Sequence, residues 1–364
     1  MPFSLNRLFS PLLLSALGAF AQVASAQTVT TPLPPVVAEP AQVASGVAEA
    51  VRLAGSPRLA GYLLSGQPLP APARAAGADL LARIGHGPVA TPWEGAVSVS
   101  PFLRYDANLN GGFPEDHVTV GGLRFVVAEA DRAVSGPIAG AVLSYAGRAG
   151  LGGGTALELR SSLMIGQALE HDLRKVSLSA EGCLRHMARP DLYLHGCLDL
   201  GLARFELGRS ERLGARVGVS RLFEGLGGAH ELTLEGRVER HLGAQGYERG
   251  LVAVSLLSAM PGPVVWSVRA EIGQPVEGVL VTRARVQLGA TFELLDRPTT
   301  VSVDWRRAEG GLFLGTPRED RTVTLSLSRP VTDRMRVSVG LTRNASTAAP
   351  YDRNTLDLGL SMKF

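Results

Sequence analysis

Beyond its opening residues this sequence has no stretch approaching about 18 uninterrupted apolar side chains, so it offers no helix able to cross a bilayer. It has only two cysteines and no CxxC pair, which excludes a thiol-redox centre of that kind. Its seven histidines fall at no HxxxH or HExxH spacing, so a zinc site lacks its ligand pattern. RAGLGGGT at 148–155 lacks the lysine and following hydroxyl of a phosphate loop and reads as a turn. Charge of one sign is scarce as well: the net charge is +3, and no basic stripe interleaved with aromatics suggests a nucleic-acid partner. No catalytic residue, cofactor or metal is expected, and the chain reads as a non-enzyme.

What is present begins with an export signal. Arg7 precedes the apolar run LFSPLLLSALGAFA, and ASA at 24–26 supplies small residues before Gln27, the layout of a cleaved secretory signal over 1–26. A membrane anchor fits less well, because Pro11 and several small residues interrupt a stretch shorter than a usual span. Residues 27–92 form a second region. QTVTTPLPPVVAEP is a proline-rich linker, and AQVASGVAEAVRLAG, PRLAGYLLSG and PARAAGADLLARIG place apolar residues at helical spacing and end at glycine. Two or three short helices follow from this, too few for a self-sufficient helical repeat array.

After Trp93 the period changes to two and stays so to the last residue. In ELTLEGRVER, Leu232, Leu234 and Val238 share one face, while Glu231, Thr233, Glu235, Arg237 and Glu239 share the other. TRARVQLGATF, TTVSVDWRR and RTVTLSLSRP repeat the split with no helix between them. A soluble β-sandwich also alternates, but the export signal, the long run of strands and the aromatic last residue together favour a membrane barrel with its apolar face outward. The expected fold is an all-β transmembrane β-barrel of about 14 antiparallel strands over 93–364, preceded by a short α-helical periplasmic element. Fifteen candidate strands begin near 95, 117, 136, 155, 174, 191, 212, 230, 247, 263, 281, 299, 321, 334 and 354. Single-chain bacterial barrels have an even number, so one of these is surplus, and 14 is preferred to 16.

The closing strand, YDRNTLDLGLSMKF, points Leu356, Leu358, Leu360, Met362 and Phe364 one way. A final phenylalanine on the lipid face resembles the signal read by the barrel assembly machinery of Gram-negative bacteria. Cys183 and Cys197 lie on the polar faces of two strands joined at HMARPD, opposite or nearly so, and in an oxidising periplasm a disulfide between them is expected. His186 and His195 flank the same hairpin and with Cys197 make a weak constellation, for which a structural role is the simpler reading. By parity Glu158, Arg160, Glu181, Asp199, Glu231, Glu235, Arg237, Arg269, Glu271, Arg283, Arg285, Asp304 and Arg306 point inward. Their mixed signs suit a lumen closed by ion-pair ladders, or a hydrated pore of weak selectivity.

Two stretches resemble a known family. SPFLRYDANLNGG at 100–112, with Asp106, Asn108 and Asn110 in an Asp-x-Asn-x-Asn run, is similar to the segment that opens the barrel of surface lipoprotein assembly modifiers. PYDRNTLDLGLSMKF at 350–364, with Tyr351, Asp352, Arg353 and Asn354 and the closing Lys363 and Phe364, resembles that family's final hairpin. The resemblance implies a barrel in the bacterial outer membrane that helps a lipoprotein client reach the surface, in contact with membrane lipid and without nucleotide or metal. That family carries a substantial helical-repeat domain before its barrel, for which only 27–92 is available here. The competing expectation is a passive porin or diffusion channel.

Overall fold

The computed structural model describes residues 51–362 apart from 52, 66–70, 107, 121–122, 244–245 and 261–263. The expected signal at 1–26, the proline-rich linker at 27–40, most of the first helical stretch at 41–55, and the terminal Lys363 and Phe364 lie outside the described residues.

Fourteen antiparallel strands form one sheet that curls into a nearly closed barrel. They are β1 (Glu94–Asp106), β4 (Gly136–Gly152), β5 (Thr155–Ala168), β6 (Arg174–Arg189), β7 (Leu192–Phe205), β8 (Gly208–Gly225) and β9 (Gly228–Leu242), followed by β10 (Tyr247–Ala259), β11 (Val264–Gly273), β12 (Val281–Leu294), β13 (Arg297–Phe313), β14 (Thr316–Pro330), β15 (Met335–Ser346) and β16 (Arg353–Met362). Each pairs with its sequence neighbours, β1 joining β4. The remaining pair, β2 (His117–Val120) and β3 (Leu123–Val126), is a separate hairpin in the connection from β1 to β4. The candidate strand near 117 is therefore the surplus one. Four residues reach only about 13 Å, far short of a hydrocarbon layer of about 30 Å.

The alternation is realised with the polarity of a membrane barrel. Leu234, Leu325 and Leu358 are about half exposed on the outer surface, whereas Glu231 and Glu239 face inward and are buried. Two-residue hairpins hold the register at both ends: Leu226 and Gly227 between β8 and β9 take positive φ, 51° and 77°, and at the opposite end Leu314 and Gly315 between β13 and β14 do the same, 54° and 82°, the backbone that such turns require. At the seam, β1 and β16 lie side by side, and among the described residues no ladder joins them. Pro101, midway along β1, cannot donate to a ladder, in keeping with proline's confinement to sheet edges.

Helices α1 (Pro57–Ser65) and α2 (Ala71–Leu81), with a tight turn at Ala82–His86, precede β1. A Cβ on Gly61 would sit 2.6 Å from Leu81 Cδ2, and one on Gly77 2.8 Å from Leu64 Cβ, so at each close approach a leucine of one helix packs onto a glycine of the other. The main apolar core is not between two sheets. It lies where this helical element meets inward side chains at the near end of the barrel, the end at which β1 starts and β16 stops.

Candidate functional site

The near mouth of the lumen is occupied by the helical element. Leu59 of α1 is fully buried against Tyr193, Leu222, Ala229, Ala259 and Val265, which come from β7 to β11. Arg58 forms an ion pair with Glu231 of β9, Ser56 Oγ donates to Glu231 Oε2 at 2.8 Å, and the Arg58 guanidinium stands 5.4 Å from the centre of the Tyr193 ring. His86 completes the seat, its Nδ1 2.9 Å from the Gly154 carbonyl oxygen and its ring edge-on to Tyr193 at 5.1 Å.

Burial holds His86 below its ordinary range, with nearby Arg58 and Arg185 pushing the same way against the Gly154 carbonyl. The seated state favours the neutral ring, so its contribution is complete above the unfolded value of about 6.5 and is lost as the pH falls through the lower seated value. Acidification should therefore loosen the helical element, read as faster proteolysis at 57–86, and His86→Gln should flatten that pH dependence.

Further along the lumen, charges from neighbouring strands interlock. Arg185 meets Glu158 at 2.9 Å, Arg216 meets Glu181 at 2.5 Å, and Arg237 meets Asp199 at 2.7 Å. Glu235 takes Arg269 at 2.8 Å and His195 at 3.1 Å, Arg285 meets Asp304 at 2.5 Å, and Arg306 Nε lies 3.9 Å from Asp304 Oδ1. Arg249 and Glu239, 2.5 Å apart, are both almost wholly buried. The acids are those expected from parity, and the same alternation turns Arg185, Arg212, Arg216 and Arg249 inward as well, cations missing from that expectation, with Arg212 3.3 Å from Asp199. Arg160 is half exposed and only 3.6 Å from Glu158, and Glu271 is 3.6 Å from Arg269. Arg283 falls in a register shift between Thr282 and Ala284 and pairs with Glu309, so simple alternation does not set its direction.

The opposite wall differs in kind. β14, β15, β16 and β1 line it with Thr322, Thr324, Ser326, Thr342, Thr355, Ser98 and Ser100, and hydroxyl bonds such as Thr324 to Thr342 at 3.0 Å replace ion pairs.

Cys183 and Cys197 stand directly opposite in the β6–β7 register and are joined by a disulfide. With Glu181 their ligand atoms lie within 4.8 Å of one another, yet a disulfide leaves no thiolate to hold a metal. The sequence grouping of His186 with His195 and Cys197 does not form a site. His186 has even parity and lies exposed on the outer surface, bonded to Thr155, whereas His195 is buried in the lumen. Replacing both cysteines with serine opens a 14-residue link. A loop of that size is worth about 3 kcal/mol in the chain-entropy model, and the hairpin's own pairing brings the expected loss below that, read as a lower urea midpoint.

At the far mouth the two family-like stretches meet. Lys175 Nζ donates to Asp106 Oδ2 at 2.7 Å and to the Asn108 carbonyl at 2.6 Å. The Asn108 amide nitrogen donates to Asp106 Oδ1 at 2.9 Å. Asn110 Oδ1 accepts from the Gly112 and Val134 nitrogens at 3.1 and 2.9 Å, and its Nδ2 donates to the Arg132 carbonyl at 2.6 Å. These three buried residues root the connection 107–135. From there Phe113 reaches across to stack on Phe313 at 5.9 Å and to meet Tyr351 edge-on at 6.3 Å.

Tyr351 in turn lies under the Arg318 guanidinium at 3.5 Å. Asp352 pairs with Arg343, while Asn354 faces Arg343 and Arg353 faces Asn344 in the β15–β16 register. Leu356, Leu358 and Leu360 point to lipid. Met362 closes β16. The cross-mouth contact was hidden from sequence, since Phe113 and Phe313 sit in unrelated stretches with no shared motif.

The barrel is similar to the outer membrane protein OpdK of Pseudomonas aeruginosa, at 10% identity over 74% of this chain and 99% of that one, with a TM-score of 0.40. It is similar also to CdiB from Escherichia coli, at 11% identity over 79% and 70% of the two chains and a TM-score of 0.42. A BenF-like porin from Pseudomonas fluorescens Pf-5 shares 6% identity over 75% of this chain and 99% of its own, with a TM-score of 0.40. No protein-family description and no curated protein matches the sequence.

Proposed function

We propose that this protein is an outer-membrane barrel that assists the surface display of a lipoprotein client, working as a gated unit and not as an open pore. One observation carries the reading: segments of the chain itself are seated in both mouths of the lumen. The helical element fills the near mouth through Leu59 and the Arg58–Glu231 pair, and the connection 107–135 spans the far one through Phe113. Tight turns at the near end and the longest connection at the far end suit the periplasm and the outside respectively. On this orientation α1 and α2 are the first part a periplasmic client meets, and the lipid-facing leucines of β16 are what barrel assembly machinery would engage.

The test is protease shaving of intact cells with and without the gene, scored by mass spectrometry for lipoproteins. A specific lipoprotein should lose surface accessibility while its total amount holds. An unchanged surface would sink the proposal.

The hydroxyl-lined wall favours a second reading, a diffusion channel along β14–β16 and β1. That reading expects steady conductance from the wild-type protein in planar bilayers, where the gated reading expects near silence.

A further inference from the structure

On its lipid-facing side the sheet twice sets two arginines directly opposite each other. Arg307 of β13 faces Arg321 of β14, and Arg204 of β7 faces Arg209 of β8. Like charges in facing positions, with Cβ atoms about 4.5–5.5 Å apart, repel and destabilise the ladder. The first pair is neutralised by the chain itself: Glu319 lies 3.2 Å from Arg307 Nε and 2.8 Å from Arg321 Nε, and Glu309 lies 3.0 Å from Arg307. The second pair has no such bridge. Among the described residues Arg209 approaches only Glu211, at 3.8 Å, with its side chain 73% exposed, and no carboxylate lies within ion-pair reach of Arg204.

Direction and height narrow what could fill the gap. Arg204 shares the outward parity of Leu198 and Leu202, both exposed to lipid, and stands one alternate step, about 7 Å, beyond Leu202. Arg174, which opens β6 two residues before Val176, the partner of Arg204, is exposed on the same face and holds only Gln167, at 3.5 Å. All three lie at the far end, beside the hairpin whose Leu207 nitrogen bonds the Asn110 carbonyl at 3.0 Å. The three cations are arginines, as are all but Lys175 and Lys363 in this chain, and the planar guanidinium fork is able to grip phosphate oxygens in pairs.

We propose that Arg174, Arg204 and Arg209 form a headgroup site for a phosphorylated glycolipid of the outer leaflet, its phosphate taking the place that Glu319 holds in the other pair. The lipid-facing direction selects an embedded headgroup over a soluble anion. The site is independent of any client and stands or falls without it.

The test uses the full-length protein in phosphatidylethanolamine nanodiscs doped with bis-phosphorylated lipid A, with retained lipid counted by native mass spectrometry. The wild type and R307Q/R321Q should keep the lipid, and R204Q/R209Q should bind it roughly tenfold more weakly, the worth of a charge-assisted contact or two. Fully dephosphorylated lipid A should be retained no better than the bulk lipid. If the double variant fails to fold, by loss of heat-modifiable gel mobility, R204Q alone carries the comparison. Equal retention by variant and wild type, equal retention of the dephosphorylated lipid, or displacement by inorganic phosphate at matched concentration would each overturn the assignment, the last by showing an adventitious ion only.

Discussion

Arg58→Ala is expected to turn a nearly silent barrel into a conducting one. The Arg58 side chain retains about a fifth of its exposure and its partner Glu231 about a twentieth, so the variant leaves a buried carboxylate inside the lumen with Ser56 as its remaining hydrogen-bond donor. Breaking such a pair typically costs about 3 to 5 kcal/mol, and the residual exposure of Arg58 places this case near the lower figure. A loss of about 3 kcal/mol shifts the seated-to-released equilibrium of the helical element by roughly a hundredfold. The guanidinium also leaves the Tyr193 ring, which adds to the effect. Planar-bilayer recording checks the result, with current bursts in the variant that the wild type lacks. Glu231→Gln, which removes the orphaned charge along with the ion pair, should conduct less than Arg58→Ala. Identical silence in all three would show that Arg58 does not hold the mouth closed.

Leu325→Arg is expected to cost about 2 to 4 kcal/mol and to cut the folded yield, because a cation near the middle of a lipid-facing row has neither water nor partner. Leu325 is 45% exposed on the outer face of β14 and faces Leu341 of β15 and Val303 of β13. Its neighbour Thr324 points into the lumen, where its hydroxyl meets Thr342 at 3.0 Å on the sparsely charged wall. Thr324→Arg should therefore be mild, since a long cation there can reach water. The comparison is read from urea unfolding in lipid vesicles and from heat-modifiable mobility on gels. Equal penalties on the two faces would contradict a barrel with its apolar side outward.

The asymmetry between those two residues was legible in sequence because the side-chain period of a strand is two, so polarity along TVTLSLS reports the two faces without any three-dimensional knowledge. Strand number was nearly legible. The alternation at 117–126 satisfies the same pattern, and only its four-residue reach, visible once the hairpin β2–β3 is seen apart from the barrel, removes it from the count. The disulfide followed from parity across a short hairpin, a local relation. The seat of the helical element did not, for the opposite reason. Helical spacing in PRLAGYLLS marks an apolar stripe but not its partner, and Glu231, indistinguishable in ELTLEGRVER from Glu235, finds Arg58 across 173 residues of chain. The far mouth is similar: Asp106, Asn108 and Asn110 stand out as a motif, yet that Phe113 should lie against Tyr351 is written in no local pattern.

If display of a client requires the helical element to leave the near mouth, fastening that element in place should abolish display. A cysteine pair at Ser56 and Glu231, where the 2.8 Å contact is made by the far end of the long glutamate, can fasten it there through a short bis-methanethiosulfonate reagent that spans the gap with two reducible disulfides, while the native disulfide lies shielded in the wall with Cys183 and Cys197 both buried. The decisive measurement is protease shaving of lipoproteins on cells carrying no copy, the wild type, or S56C/E231C, with and without a mild reductant. The fastened barrel is expected to match the empty strain until reductant restores the wild-type surface. A fastened barrel that displays its lipoprotein as the wild type does would contradict that requirement.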